Sequence, residues 1–173
     1  MVQNTPEFSY PVDVSRVSSS PMKLELTADE EQRRALAARF KIVSVDTLRA
    51  EVELKRVNRS QIRVRGSFEA EVTQTCVVSL EPFRETLSDS FSVLFGENQA
   101  ARPNEYEIEL SMDEDEETDA VQDGKIDAGE LVAEYLALSL NPFPRRPGAS
   151  FSYETAGEEK KSPFAALEKL KLK

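Results

Sequence analysis

An acidic stretch in the second half of the chain, DAVQDGKIDAGE at residues 119–130, has the residue types of a calcium-binding loop. An EF-hand loop needs oxygen ligands at positions 1, 3, 5, 9 and 12, and a glycine at position 6 for its sharp turn. Carboxylates occupy four of these ligand positions: Asp119, Asp123, Asp127 and Glu130. Gly124 stands at position 6, but position 3 is Val121, which offers no side-chain oxygen. The stretch could therefore bind calcium or simply form an acidic turn.

The segments around this loop favour the acidic turn. An EF-hand loop lies between two helices, whereas residues 105–112, EYEIELSM, alternate like a strand, and six of the seven residues 113–119 are acidic. Asp127 and Glu130 also have the spacing of a cap pair at the start of a helix. We therefore expect no specific calcium site here and no other metal site.

The composition excludes several kinds of catalytic site. The 173 residues include one Cys and no His, so an intramolecular disulfide, a zinc site built on Cys and His, and a His-based catalytic triad are all excluded. The glycine-rich GxGxxG and GxxxxGK[ST] phosphate loops do not occur. No signal peptide is visible, and no stretch approaches the roughly 20 apolar residues that span a membrane. We expect a cytoplasmic protein that is not an enzyme, uses no cofactor and has no membrane partner.

The negative charge of the chain is concentrated in one segment. Residues 105–134 hold thirteen acidic residues and one basic residue, a net charge of −12. Because the whole chain carries −10, the remaining residues carry +2. Arguments about binding partners must therefore use this polarity and not the total charge.

Hydrophobic periodicity predicts a hairpin at the centre of the fold. Residues 48–54 and 62–72 each alternate apolar and polar side chains, and the polar stretch VNRSQ joins them, which indicates an antiparallel hairpin with one buried face. The even-numbered face of the second strand continues to Cys76, which we interpret as a small buried hydrophobe and not a reactive thiol. Further strands are predicted over residues 8–14, 83–96 and 105–112.

Two helices are predicted beside these strands. In the first, at residues 27–40, Thr27 and Glu30 have the spacing of a capping box. The second covers residues 127–140, and its core-facing side is expected to include Leu131, Tyr135 and Leu138.

The remaining segments complete the predicted organisation. Residues 113–124 are predicted to form a mobile acidic loop, and residues 149–173 a flexible linker followed by a short basic amphipathic tail, SPFAALEKLKLK. The order of elements is typical of a single α+β domain over residues 1–148, with a mainly antiparallel sheet and two principal helices.

Three segments resemble the YceD family, the large ribosomal RNA subunit accumulation proteins. They are TCVVSLEPF at residues 75–83, DGKIDAGELVAEYLALSLNPFPRRPG at 123–148, and SPFAALEKLK at 162–171, the last being similar to the tail of alphaproteobacterial members. The resemblance covers roughly residues 40–172 and rests on the order and spacing of these segments. It implies a bacterial cytoplasmic factor that is needed for normal levels of the large-subunit ribosomal RNA.

The chain departs from the family pattern at its cysteines. Many members carry two cysteine pairs, which suggests a metal site in them, whereas here Ser79 stands at the second cysteine position and PRRPGASF after the helix contains no cysteine. A metal site is therefore not carried over. The positions that match the family pattern are interpreted as structural: Cys76, Leu80, Pro82, Asp127 and Glu130.

The residues leave three functional hypotheses open. The chain could bind large-subunit ribosomal RNA through arginines of the hairpin: Arg56, Arg59, Arg63 and Arg65. It could instead bind a basic ribosomal protein through the acidic stretch: Asp113, Glu114, Asp115 and Glu116. The third hypothesis, a carboxylate-metal RNA-processing enzyme that uses Asp119, Asp123 and Asp127, is disfavoured because such a site needs ligands fixed by rigid elements. No DNA partner is expected.

Overall fold

The computed structural model describes residues 6–96 and 118–151, which form seven strands and two α-helices. The elements are β1 (Pro11–Asp13), β2 (Met22–Thr27), α1 (Glu30–Phe40), β3 (Ser44–Arg56), β4 (Gln61–Thr75), β5 (Pro82–Gly96), β6 (Thr118–Ala120), β7 (Lys125–Asp127) and α2 (Ala128–Ser139). Five strands form one sheet in the order β2–β3–β4–β5–β6, in which only the β5–β6 pair is parallel. β1 pairs with β7 in a separate antiparallel ribbon. The predicted α+β class with a mainly antiparallel sheet is confirmed.

The β3–β4 hairpin follows the predicted two-residue period. Its even-numbered residues from Leu48 to Leu54 and from Ile62 to Gln74 are buried, and register pairs such as Leu54↔Val64 lie on that face. The same face of β5 adds Phe91 and Phe95. These side chains join those of the helices in one core cluster, so the opposite face of the sheet points outward and is polar.

The start of the first helix differs from the prediction. α1 begins at Glu30 with Asp29 as its cap, and Asp29 and Gln32 form the reciprocal capping box. Thr27 is instead the last residue of β2, a strand that the sequence analysis missed, and pairs with Arg49. Because Thr27 pairs within the sheet, it does not cap α1. The cap lies two residues later, at Asp29, and Gln32 completes the capping box.

The second helix lies in the core, as predicted, but its apolar face is narrower. Leu131, Val132 and Leu136 are buried, whereas Leu138 is 77% exposed, so its assignment to the core-facing side was wrong. The helix ends where predicted, since Leu140 leaves the helical region before Pro142.

Several predicted elements are shorter or lie outside the described residues. The strand predicted over residues 8–14 is reduced to β1, and a single 3₁₀ turn follows at Val14–Arg16. Within the acidic loop predicted over 113–124, Thr118–Ala120 forms β6. The strand predicted over 105–112, the acidic residues 113–117 and the tail at 162–173 lie outside the described residues. No helix in the described parts of the chain is long and apolar enough to cross a membrane.

A glycine in the middle of β4 makes room for the aromatic contact that seats α2 on the sheet. A Cβ atom at Gly66 would lie 2.3 Å from Cζ of Phe91, its register neighbour on β5. The Phe91 ring stacks on Tyr135 of α2, with 4.5 Å between ring centroids and 11° between ring planes. Because Tyr135 holds the ring from the other side, Phe91 cannot move aside without disturbing the helix.

We predict that Gly66→Ala lowers the free energy of unfolding by about 1–3 kcal/mol through overpacking against Phe91. Urea unfolding measures this decrease, and Ser67→Ala on the outward face serves as the control with little effect. Adding Phe91→Leu to Gly66→Ala should be less destabilising than the sum of the two single changes. Strictly additive effects would contradict a direct clash between these positions.

Candidate functional site

The EF-hand-like stretch is a turn between two short strands. β6 enters it in place of a helix, and Lys125 donates its backbone N–H to the Gln122 carbonyl at 2.9 Å. Asp123 and Gly124 form the turn and have positive φ angles of 50° and 69°. Among residues 6–96 and 118–151, no group of three Asp, Glu, Cys or His side chains is arranged to hold a metal ion.

The Asp127 carboxylate is fully used within the protein. Oδ1 accepts hydrogen bonds from the backbone N–H groups of Gly129 (3.1 Å) and Glu130 (3.0 Å), which caps α2 as predicted. The same oxygen accepts from Tyr10 N at 2.7 Å, and Oδ2 accepts from the Ser9 hydroxyl at 2.5 Å. Asp127 therefore fixes both the start of α2 and the N-terminal segment, and each of its oxygens already accepts a hydrogen bond within the protein.

A glycine allows the N-terminal segment to lie this close to the helix. A Cβ atom at Gly129 would meet the carbonyl oxygen of Phe8 at 2.5 Å. The Tyr10 carbonyl also accepts the backbone N–H of Ala128 at 3.0 Å. The backbone of residues 8–10 thus packs directly on the first turn of α2.

Glu130 has a different role from the one predicted. Its carboxylate does not complete a cap pair with Asp127 but forms a two-pronged ion pair with Arg39 of α1, at 2.9 Å and 2.7 Å. Arg39 also contacts Glu7 at 3.0 Å. The guanidinium therefore ties the last turn of α1 to the first turn of α2 and to the N-terminal segment.

Cys76 lies at the end of β4 in a polar environment. Its side chain is buried, as predicted, yet Sγ accepts backbone N–H groups from Val78, Ser79 and Arg146, each at 3.4 Å. Hydrogen bonding from Ser79, followed by that from Arg146, lowers the pKa of the Cys76 thiol to about 6. The interpretation as a simple buried hydrophobe was therefore incomplete, because the sulfur is a hydrogen-bond acceptor with thiolate character.

Cys76 anchors the turn between β4 and β5. Leu80 donates its N–H to the Cys76 carbonyl at 2.9 Å and has a positive φ of 60°, and Cys76 donates to the Glu81 carbonyl at 2.9 Å. Pro82 then begins β5 opposite Thr75. Leu80 and Pro82 thus shape this turn.

The same turn is fastened to the segment that follows α2. Val77 donates to the Pro144 carbonyl at 2.9 Å, and Arg146 forms an ion pair with Glu81 at 2.7 Å. Together with the bond from Arg146 N to Sγ, these interactions join the turn after β4 to the segment after α2. A single cysteine sulfur surrounded by N–H donors, with Ser79 beside it, does not provide the four-ligand set that zinc requires. The residues present therefore fit a hydrogen-bonded junction and not a metal centre.

The hairpin arginines divide into two groups. Arg56 donates to the carbonyls of Val17 (3.0 Å) and Val14 (2.6 Å), so its guanidinium is committed to holding the segment before β2. Arg63 and Arg65 lie on the outward face of β4, and Arg59 lies in the exposed hairpin turn.

A recess of about 410 Å³ opens beside these outward arginines. Its lining includes Lys55, Arg63 and Arg65 together with Glu53. Of the hairpin arginines singled out from the sequence, Arg56, Arg63 and Arg65 line this recess, and Arg59 lies nearby in the turn. The Arg56 guanidinium is bonded to backbone carbonyls and so has a structural role as well.

The sequence did not reveal contacts between residues that are far apart in the chain. Arg39 and Glu130 are 91 positions apart, and Cys76 and Arg146 are 70 apart. No local pattern marks such pairs. The acidic candidates Asp113, Glu114, Asp115 and Glu116 lie outside the described residues.

We predict that Asp127→Ala lowers the free energy of unfolding by about 2–4 kcal/mol, since it removes the helix cap and the bonds to Ser9 and Tyr10. Asp119→Ala is the matched control because it makes the same change of charge at an exposed position of β6. Urea unfolding would contradict the structural role of Asp127 if the two variants proved equally stable.

We predict that Cys76 stabilises the fold increasingly as the pH rises from about 6 to about 8.5, because its pKa is lowered in the folded state and about 8.5 in the unfolded chain. This stabilisation is complete above the unfolded-state pKa and is lost as the pH falls through the folded-state pKa. Unfolding of wild type and Cys76→Ala across this pH range measures the difference, and ultraviolet absorbance of the thiolate gives the midpoint. A thiol midpoint near 8.5 in the folded protein would contradict the account.

Comparison with known proteins agrees with the resemblance seen in the sequence. The family model described as Large ribosomal RNA subunit accumulation protein YceD matches residues 64–171, well over half of the chain, although it begins within β4 and not near residue 40 as expected. No curated protein and no solved structure gives a significant match. The chain belongs to the YceD family, and the name of that family implies a role in accumulation of the large ribosomal RNA subunit.

Proposed function

We propose that the chain supports accumulation of the large-subunit ribosomal RNA by binding RNA, without catalysing a reaction on it. The proposed binding surface is the basic recess, which we define by Lys55, Arg63 and Arg65 in its lining together with Arg59 in the adjoining exposed turn. The proposal rests on one observation, the direct cross-strand pairing of Lys55 with Arg63 in this recess.

Lys55 and Arg63 are direct cross-strand partners on the outward face, and Arg65 follows two positions along β4. Like charges placed directly opposite each other destabilise a sheet. Within the described residues, Lys55 and Arg65 form no ion pair. A bound phosphate would reduce the repulsion between Lys55 and Arg63, and guanidinium groups match the geometry of phosphate oxygens.

The outward face of the described sheet has no aromatic side chain, because Phe68, Phe91 and Phe95 all point into the core. Recognition of single-stranded RNA relies on stacking bases against aromatic rings. The recess therefore suits binding to the sugar-phosphate backbone, as in a structured or double-stranded RNA.

Acidic residues limit the extent of the proposed binding surface. Glu53 lies opposite Arg65, and Glu51 and Glu25 are paired in the next outward row. These carboxylates would repel RNA, so the proposed surface is confined to the hairpin end.

The arrangement of the carboxylates supports binding in preference to RNA cleavage. The hypothetical metal ligands are Asp119, Asp123 and Asp127, but both oxygens of Asp127 already accept hydrogen bonds from the protein. A metal-dependent nuclease would need those oxygens as ligands.

We predict that Lys55→Gln with Arg65→Gln weakens binding to a short RNA duplex and flattens its salt dependence by up to about two units of log–log slope, just under one for each phosphate that is no longer neutralised. Titration of the full chain with labelled duplex at several salt concentrations measures both quantities. Arg34→Gln with Arg49→Gln is the matched control, since it removes the same charge outside the recess.

A third variant separates RNA from a basic protein as the direct partner. Replacing Asp113, Glu114, Asp115 and Glu116 with Asn and Gln should slightly strengthen RNA binding by reducing repulsion. Equal RNA binding by wild type, recess variant and control would refute the proposal. Association with a basic ribosomal protein that is abolished only in the acidic variant would favour the protein hypothesis instead.

A further inference from the structure

A second surface lies at the opposite end of the β3–β4 hairpin from the basic recess. There the ends of α1, β4 and α2 enclose a groove of about 370 Å³. Its lining is mostly apolar and includes Phe40, Ile42, Gln74, Ala137, Leu140 and Pro144. We call this the apolar groove.

Large apolar side chains are exposed at positions next in sequence to the lining residues. Phe143, between the lining residues Pro142 and Pro144, is 70% exposed, and Leu138, which follows Ala137, is 77% exposed. Val43, which follows Ile42, is 55% exposed. Single exposed hydrophobic residues are common on protein surfaces, but a group around a groove is typical of a protein interaction site.

A buried polar atom in the lining lacks a hydrogen-bond partner. Gln74 is 5% exposed, and its Nε2 donates to the Asn141 carbonyl at 3.3 Å. Its Oε1 is buried and accepts no hydrogen bond within the described residues. An unsatisfied buried acceptor is unfavourable, so an N–H or O–H donor that reached Oε1 would form a favourable hydrogen bond.

The rim of the groove is positively charged. Lys41 lines it and Arg145 follows Pro144, and neither forms an ion pair within the described residues. The neighbouring Arg146 is neutralised by Glu81. Charge complementarity therefore favours an acidic occupant.

We propose that the apolar groove docks an acidic segment of a protein partner, anchored by an aromatic side chain that carries its own hydrogen-bond donor, Trp or Tyr. The ring would fill the apolar lining beside Phe143 and donate to Gln74 Oε1, while flanking carboxylates would pair with Lys41 and Arg145. This proposal does not depend on RNA binding. About eleven residues of β4, or roughly 35 Å, separate Gln74 from Arg63, so both surfaces could be occupied together.

The test uses the full chain and a labelled probe peptide, acetyl-DEDWLEED-amide, followed by fluorescence anisotropy and by NMR of the Gln74 side-chain amide. Wild type should bind the peptide, with shifts at Gln74 and Lys41. Leu138→Ser with Phe143→Ser should weaken binding about tenfold or more, because the two replaced side chains are apolar anchors. Both substituted residues are exposed, so the variant should fold.

Matched controls locate the interaction. Tyr10→Ser with Val57→Ser removes two exposed apolar side chains away from the groove and should leave peptide binding unchanged. A peptide with Ser in place of Trp, or with Lys in place of its acids, should bind about tenfold more weakly or worse. Failure of wild type to bind the peptide, or equal binding by the groove variant, would overturn the proposal.

Three further outcomes would assign the groove to another occupant and so also overturn the proposal. The first is a dimer in sedimentation that the groove variant abolishes. The second is a set of NMR shifts in residues 152–173 of the unliganded groove variant, which would indicate that the chain's own C-terminal part fills the groove. The third is a reduced RNA affinity of the groove variant, which would make the groove part of the RNA-binding surface.

Discussion

The two-residue period of β3 and β4 is the constraint on which the described structure depends. Alternating side chains put every apolar residue of the hairpin on one face, and a shift of register by one residue would expose them all. The two helices cover that buried face. The opposite face is consequently mostly polar.

The side chains of Asp127 and Cys76 hold segments that lie outside the five-stranded sheet. Asp127 ends β7 and Cys76 follows β4, and each accepts two backbone N–H groups from nearby residues and one from a residue distant in sequence, Tyr10 and Arg146 respectively. A negatively charged acceptor surrounded by N–H donors is stabilised as an anion, which accounts for the lowered pKa of Cys76. In this member of the family, hydrogen bonds to one sulfur and an Arg146–Glu81 ion pair hold together the segments after β4 and α2. Stability of that junction should therefore respond to pH and not to metal chelators.

Local patterns were sufficient to predict the hairpin, β5 and α2, because these elements have long and regular hydrophobic periods. They failed where two local patterns competed. TADEEQ contains two overlapping cap pairs, and the pairing of Thr27 with Arg49 in the sheet selects Asp29 and Gln32. β2 was missed because its six residues are too short to outweigh the neighbouring helix signal. The environments of Glu130 and Cys76 depend on Arg39 and Arg146, which only the tertiary fold brings near.

The two ends of the hairpin differ in chemistry. One end presents paired cations without aromatic rings, and the other an apolar groove with an unsatisfied acceptor. Family membership implies a role in accumulation of large-subunit ribosomal RNA, and the central claim is that the chain fulfils it by binding that RNA directly. The most direct measurement is photo-crosslinking in cells with a photo-reactive amino acid at position 59 in the hairpin turn. The account predicts crosslinks to large-subunit ribosomal RNA from position 59 and none from a control position such as 34 on α1. Crosslinks from position 59 to proteins alone would contradict it.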